Sequence, residues 1–141
     1  MPFLDEQTQA QVKEQLEGLK GPVKLVVFTQ ELECEYCREN RALAQEVADL
    51  SDQIAIEVYN FALDKEAVQR YNVDKIPAII VEGEKDYGVR FYGVPFGYEF
   101  ASLLEAIQSV SAGDSGLAPQ SREMLAGLKD PLHLQVFVTL T

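Results

Sequence analysis

Cys34 and Cys37 are the chain's two cysteines, and they stand between an apolar run, Val23 to Phe28, and a helical pattern. That placement constrains the fold more than any other feature: a strand has to end, and a helix begin, around Cys-Glu-Tyr-Cys. Two residues apart, the thiols meet within one helical turn, and such a pair at a strand-to-helix junction makes a dithiol/disulfide switch. Two other uses compete with this one. A zinc site usually takes four ligands, often from two such pairs, whereas His133 is the one histidine and no third cysteine exists. A structural disulfide closing so short a loop adds little stability. Cys34 and Cys37 are therefore the candidate catalytic residues, and no metal ligands are assigned.

Bulk properties narrow the class of partner. The 141 residues suit one main domain with a core of its own. A net charge of −11 argues against nucleic acid, because phosphate binding needs clustered Lys and Arg. The apolar runs fall far short of the ~20 residues that span a bilayer, so no membrane partner is expected. Met-Pro-Phe-Leu-Asp-Glu shows no basic region followed by an apolar segment, so a secretory signal is not expected here. The expected location is cytoplasmic, where a lone Cys pair is more often catalytic than structural.

Along the chain the apolar period switches between helix and strand. Val12, Leu16 and Leu19 share a helical face that stops at Gly21-Pro22. Residues 23–29 read as a buried strand, and Leu43, Val47 and Leu50 as the inner face of the helix that the Cys pair opens. A second strand is expected over 54–61, a short helix over Lys65 to Tyr71, a third strand over Ala78 to Val81 and a fourth over Tyr87 to Tyr92. Gly83-Glu84-Lys85-Asp86 supplies the turn between the last two. Phe100, Leu103, Leu104 and Ile107 mark a closing amphipathic helix. A right-handed crossover makes the first two strands parallel, and the turn makes the last two antiparallel.

Pro77 enters a strand, where proline is tolerated chiefly at the first position. Either a cis Ile76-Pro77 bond or a trans proline that begins the strand satisfies this, and cis bonds are nearly confined to X-Pro. The sequence also repeats itself. Residues 14–28 and 123–137 share Glu, Leu, Gly, Leu, Lys, Pro, Leu, Val and Phe in register, nine positions of fifteen. Ser111 to Gly116 between the copies has linker chemistry. The expected organisation is a unit over 1–111 carrying the Cys pair, a linker over 112–118, and the helix and first strand of an incomplete second unit over 119–141. Such a partial unit has to lean on something else, and a homodimer through 119–141 is one way.

The chain resembles the N-terminal unit of the two-unit, glutaredoxin-like protein disulfide oxidoreductases of archaea and thermophilic bacteria, within the thioredoxin superfamily. The resemblance rests on Val26-Val27-Phe28, Cys34-Glu35-Tyr36-Cys37, Arg70-Tyr71, Ile76-Pro77-Ala78, and above all Asp86 to Pro95. Gly97 to Ser111 continues it, and Leu134 to Thr139 resembles the first strand of the family's second unit; the departure from the family is that the rest of that unit, with its own Cys pair, is not in this sequence. The resemblance implies an α/β, thioredoxin-like fold: a four-stranded mixed sheet with flanking helices, plus an extra C-terminal helix and strand. It implies thiol–disulfide exchange with protein disulfides, and a more active pair in the C-terminal unit. The loop at Ile76 and Pro77 would face the Cys pair and, with Tyr36, form the candidate substrate-binding surface.

Cys34 is the expected nucleophile, placed at a helix N-terminus where free N–H groups and the macrodipole stabilise a thiolate. Cys37, a turn inside, would be less exposed and would resolve the mixed disulfide. Glu31, Glu33, Glu35 and Glu39 crowd the pair against Arg38 and Arg41; acids close by would raise a thiol pKa and favour a reductase. Thioredoxins carry a buried acid six residues before the first Cys, where this chain has Phe28. Phe91, Tyr92 and Phe96 are expected to pack. No Gly-rich nucleotide loop or flavin signature appears. No bound cofactor is therefore expected, and electrons would come from a thioredoxin-reductase-like protein or a small thiol. The alternatives are a glutathione-dependent glutaredoxin and a weakly active interaction module.

Overall fold

The apolar run at 23–29 becomes the second strand of a four-stranded sheet because both of its faces are covered. In the computed structural model, which describes residues 2–139, the elements are α1 (Glu6–Leu16), β1 (Val23–Thr29), α2 (Cys37–Ala48), β2 (Ile54–Asn60), α3 (Lys65–Arg70), β3 (Ala78–Glu82), β4 (Arg90–Tyr92), α4 (Tyr98–Ala112) and α5 (Pro119–Ala126). The sheet order is β2-β1-β3-β4. β1 runs parallel to β2 and antiparallel to β3, and β3 runs antiparallel to β4. This is the expected mixed sheet.

Side chains alternate across a strand, so β1 feeds two cores. Val23, Leu25 and Val27 join Leu43 and Val47 of α2, Ile79 and Val81 of β3, and Leu103 and Ile107 of α4. Val26 and Phe28 point the other way, into a smaller cluster with Ala67, Tyr71, Val73, Ala78 and Ile80. A strand buried on both faces reads as a continuous apolar run rather than an alternating one. Ties outside the sheet lock the layers: the Glu46 carboxylate of α2 accepts from the N–H groups of Phe3 and Leu4 at 2.7 and 3.0 Å. The Ser111 hydroxyl at the end of α4 accepts from Gly21 N and donates to Gly21 O.

Four places differ from the sequence expectations by more than one residue. α1 ends at Leu16, with Glu17 N bonded back to Lys13 and Glu14, and Leu19 packs on the core from the loop beyond it. α2 begins at Cys37 rather than at Cys34, because 31–36 form a loop. β4 starts at Arg90 rather than Tyr87: Gly88 takes a positive φ of 91°, and its N–H bonds Asp86 Oδ1, which turns the chain out of the extended state. The C-terminal helix forms, but the strand expected after it, within 119–141, does not appear among the described residues. Leu132 to Val138 are exposed and belong to no strand, while Leu140 lies outside the described residues. A single strand has no ladder to complete and does not persist alone. No helix among the described residues is long and apolar enough to cross a membrane.

Candidate active site

β1 delivers the chain to Thr29, and the loop at 30–36 turns it into α2. Gln30 braces that loop by donating its side-chain N–H to Leu32 O at 2.6 Å. Glu33, immediately before Cys34, sits in the left-handed region at φ 59°, a conformation uncommon outside glycine. Tyr36 is the N-cap position, and its carbonyl accepts from Asn40 N at 3.0 Å. Cys37 is the first helical residue.

Cys34 and Cys37 form a disulfide, with their Cα atoms 5.6 Å apart. The two sulfurs are not equivalent. Cys37 is 2 % exposed, whereas Cys34 is half-buried and lines a polar cleft of about 360 Å³. Thr29, Gln30, Glu31, Glu35, Arg38, Glu39 and Arg41 complete that cleft. The expected ring of acids is therefore met by both arginines in the same space, and Glu33 does not line it. The first-turn N–H groups of α2 have no intrahelical acceptors, so this end carries the positive pole of the helix.

Sheet register fixes where Pro77 stands. Ala78 pairs with Phe28 of β1 on one side and Tyr92 of β4 on the other, so Pro77 stands at the sheet end where β1 gives way to the Cys loop. The Ile76-Pro77 bond is cis, and Pro77 O accepts from Gly93 N at 2.9 Å. Ile76 is half-buried against the smaller core. Lys75 lies 4.5 Å from the centre of the Tyr92 ring, beside this loop. Tyr36 is 54 % exposed and takes no part in the ring contacts found among the described residues. Phe28 is a core residue, stacked on Tyr59 at 5.5 Å and edge-on to Tyr71 at 6.0 Å. Phe91 and Tyr92 pack as expected, while Phe96 is largely exposed with its ring edge toward Phe3.

The thioredoxin-domain family profile matches residues 23–105, from β1 into α4. The chain belongs to the thioredoxin-domain family. The F subunit of alkyl hydroperoxide reductase from Staphylococcus epidermidis is 29 % identical to this thioredoxin domain over 99 % of the chain and 25 % of that protein. Its namesake from Pseudomonas aeruginosa is 25 % identical over 99 % of the chain and 24 % of that protein. The chain thus spans about a quarter of the length of these curated relatives. Among solved structures, a protein disulfide oxidoreductase from Aeropyrum pernix superposes with a TM-score of 0.81 at 26 % identity, over 92 % of this chain and 57 % of that one. The F subunit of alkylhydroperoxide reductase from Enterococcus faecalis shares the fold at a TM-score of 0.76 and 21 % identity, over 90 % of this chain and 62 % of that one.

One residue of this thioredoxin domain, Asn40, was not singled out from the sequence. Asn40 is completely buried in α2, and neither polar atom of its side chain has a hydrogen-bond partner among the described residues. One carboxylate oxygen of Glu39 is likewise buried and unpartnered. A signal for Asn40 was present: it is the polar member of the inward stripe Cys37, Asn40, Leu43, Ala44, Val47.

Proposed function

We propose that this thioredoxin domain exchanges disulfides with protein substrates through the Cys34–Cys37 couple. The observation that carries the reading is the asymmetry of the pair: one sulfur borders an open cleft and the other is buried behind it. In the dithiol form the Cys34 thiolate attacks a substrate disulfide, forming a mixed disulfide and releasing one substrate thiolate. The Cys37 thiolate then attacks Cys34 Sγ, restoring the Cys34–Cys37 bond and releasing the second. Two electrons pass to the substrate, and a partner dithiol returns them. Tyr36, Ile76 and Pro77 form the substrate-binding surface, Tyr36 as an exposed ring and the Pro77 loop as main chain beside the Cys pair. The likeness to reductase components supports the reducing direction, with a reductase partner as electron source and the cytoplasm as the compartment. The role is then in cellular thiol redox balance.

Two experiments test this. A thiol-trapping redox titration read by mass should give a potential near about −270 mV for a reductase, against about −120 to −180 mV for an oxidant or isomerase. Cys37→Ser should accumulate a mixed disulfide through Cys34. If the wild-type pair never closes, or Cys37→Ser traps no substrate, the reading fails. Turnover of glutathione mixed disulfides in place of protein disulfides would instead make the domain a glutaredoxin.

A second reading concerns residues 119–141 as the opening of another thioredoxin-like unit, following a unit over 1–111 and a linker over 112–118. It is favoured by the fifteen-residue repeat, identical at nine positions, and by the exposure of Leu132, Leu134, Val136 and Phe137, the last at 90 %. Such an apolar run seeks a sheet edge, and a second copy of this chain supplies one in a homodimer. A monomer in sedimentation whose tail is cut readily by protease would rule that dimer out.

A further inference from the structure

Asn40 is 0 % exposed, and both its amide nitrogen and its oxygen lack partners among the described residues. Buried amides are nearly always paired, because a group withdrawn from water without replacement keeps its whole desolvation cost. The local geometry indicates which partner is missing. Asn40 follows Cys37 by three residues within α2, and side chains three apart on a helix are neighbours. Helical side chains also lean toward the N-terminus of their helix, which carries this amide toward the turn that holds Cys37. Further along the inward stripe, Leu43, Ala44 and Val47 have no side-chain acceptor to offer. Cys37 is buried as deeply as its neighbours, and its sulfur is bonded to Cys34. A disulfide sulfur is a weak acceptor, whereas a thiolate in a dry site demands donors.

We propose that Asn40 is a positioning residue for the redox pair: its side-chain N–H donates to Cys37 Sγ in the dithiol form and loses that partner in the disulfide form. The inference rests on disulfide exchange as proposed above. In the half-reaction, two electrons and two protons from a dithiol such as dithiothreitol convert the Cys34–Cys37 bond into two thiols, and the donor becomes a disulfide. Ionisation of Cys37, the step before it resolves a mixed disulfide, then occurs beside a donor already in place. The paired amide in one redox form and the orphaned amide in the other bias the equilibrium toward the dithiol. The pair is therefore a better electron acceptor than the same fold with an apolar residue at 40.

The test compares the parent with Asn40→Leu and Asn40→Ala in a redox titration against dithiothreitol. Leucine fills the site and alanine leaves a void, so their effects on overall stability should have opposite signs. Their effects on the couple should agree: both should favour the disulfide roughly tenfold, which for two electrons is a potential about 30 mV more negative. Thermal unfolding of each redox form is the second readout, and the disulfide form should gain relative to the dithiol form in both variants. Unchanged potentials, shifts of opposite sign, or a shift in one variant alone would assign Asn40 to packing and overturn the proposal. A parent pair that fails to cycle at all would instead defeat the exchange function itself.

Discussion

Arg90 holds Asp86 with both terminal nitrogens, at 2.8 and 2.6 Å, and the same guanidinium donates to Tyr71 O at 2.9 Å. One side chain thereby joins the turn before β4 to the end of α3. The Arg90 hydrogen bonds hold the Asp86 carboxyl below the usual aspartate range. Its stabilising contribution is complete above the unfolded-state value of about 3.9 and is lost as pH falls through the lower folded value. Asp86→Asn should cost about 1–3 kcal/mol at pH 7, since a charged, two-point hydrogen bond is broken while Arg90 stays partly buried. Denaturant midpoints of parent and variant should converge below about pH 4. A gap that persists in acid would place the effect in turn geometry instead.

The unequal burial of the two sulfurs predicts their order of reaction. After reduction, iodoacetamide should alkylate Cys34 at least about tenfold faster than Cys37, because a thiolate needs both exposure and stabilisation to react. Peptide mapping after a limiting pulse gives the ratio directly. Equal labelling would mean that reduction opens the first turn of α2, and the assignment of nucleophile and resolving thiol would lose its basis.

The sheet, the order of its elements and the Cys pair were legible in the sequence because each leaves a strong local mark: apolar runs for strands buried on two faces, turn residues between them, and two cysteines one turn apart. What the sequence hid depended on tertiary context. Tyr87 to Val89 read as strand by residue type, but Gly88 and the Asp86 side chain make a turn there. Leu132 to Phe137 repeats the pattern of β1, yet Leu132 to Val138 form no strand, because pattern supplies no pairing partner. Asn40 is the one polar member of its helix's inward stripe, and the burial of that stripe is what leaves its amide without a partner among the described residues.

Glu33 predicts a loop held in its shape at a cost. Its φ of 59° lies immediately before Cys34, and the left-handed region costs an L-residue about 1–2 kcal/mol relative to glycine. Glu33→Gly should be neutral to mildly stabilising, by up to about 1 kcal/mol, once the greater freedom of unfolded glycine is counted. Glu33→Val should destabilise by at least about 1 kcal/mol, since a β-branched residue fits that region worst. Urea unfolding of the disulfide form separates the two. Equal losses in both variants would mean that the Glu33 side chain, not its backbone, holds the loop.

Gly83 lies in the connection between β3 and β4, as expected of a turn residue; its backbone is not in the left-handed region, and what requires glycine there is space. A Cβ built there would meet Val110 Cγ1 at 2.7 Å and Val110 O at 2.8 Å. The methyl group could be relieved by a rotamer change; the carbonyl belongs to α4 and moves only with the helix. Gly83→Ala should therefore push α4 away from the end of β3 and cost about 1–3 kcal/mol, the usual range for overpacking. Gly18 is the control: a methyl group added there would meet nothing within 4 Å, and its φ is not positive. Gly18→Ala should be neutral or stabilising by up to about 1 kcal/mol, through the reduced freedom of the unfolded chain. Urea midpoints for the two variants should move in opposite directions or differ by at least about 1 kcal/mol. If Gly83→Ala matches the parent, α4 is not held against β3 at the distance that the Ser111–Gly21 ties and the Val110 contact describe.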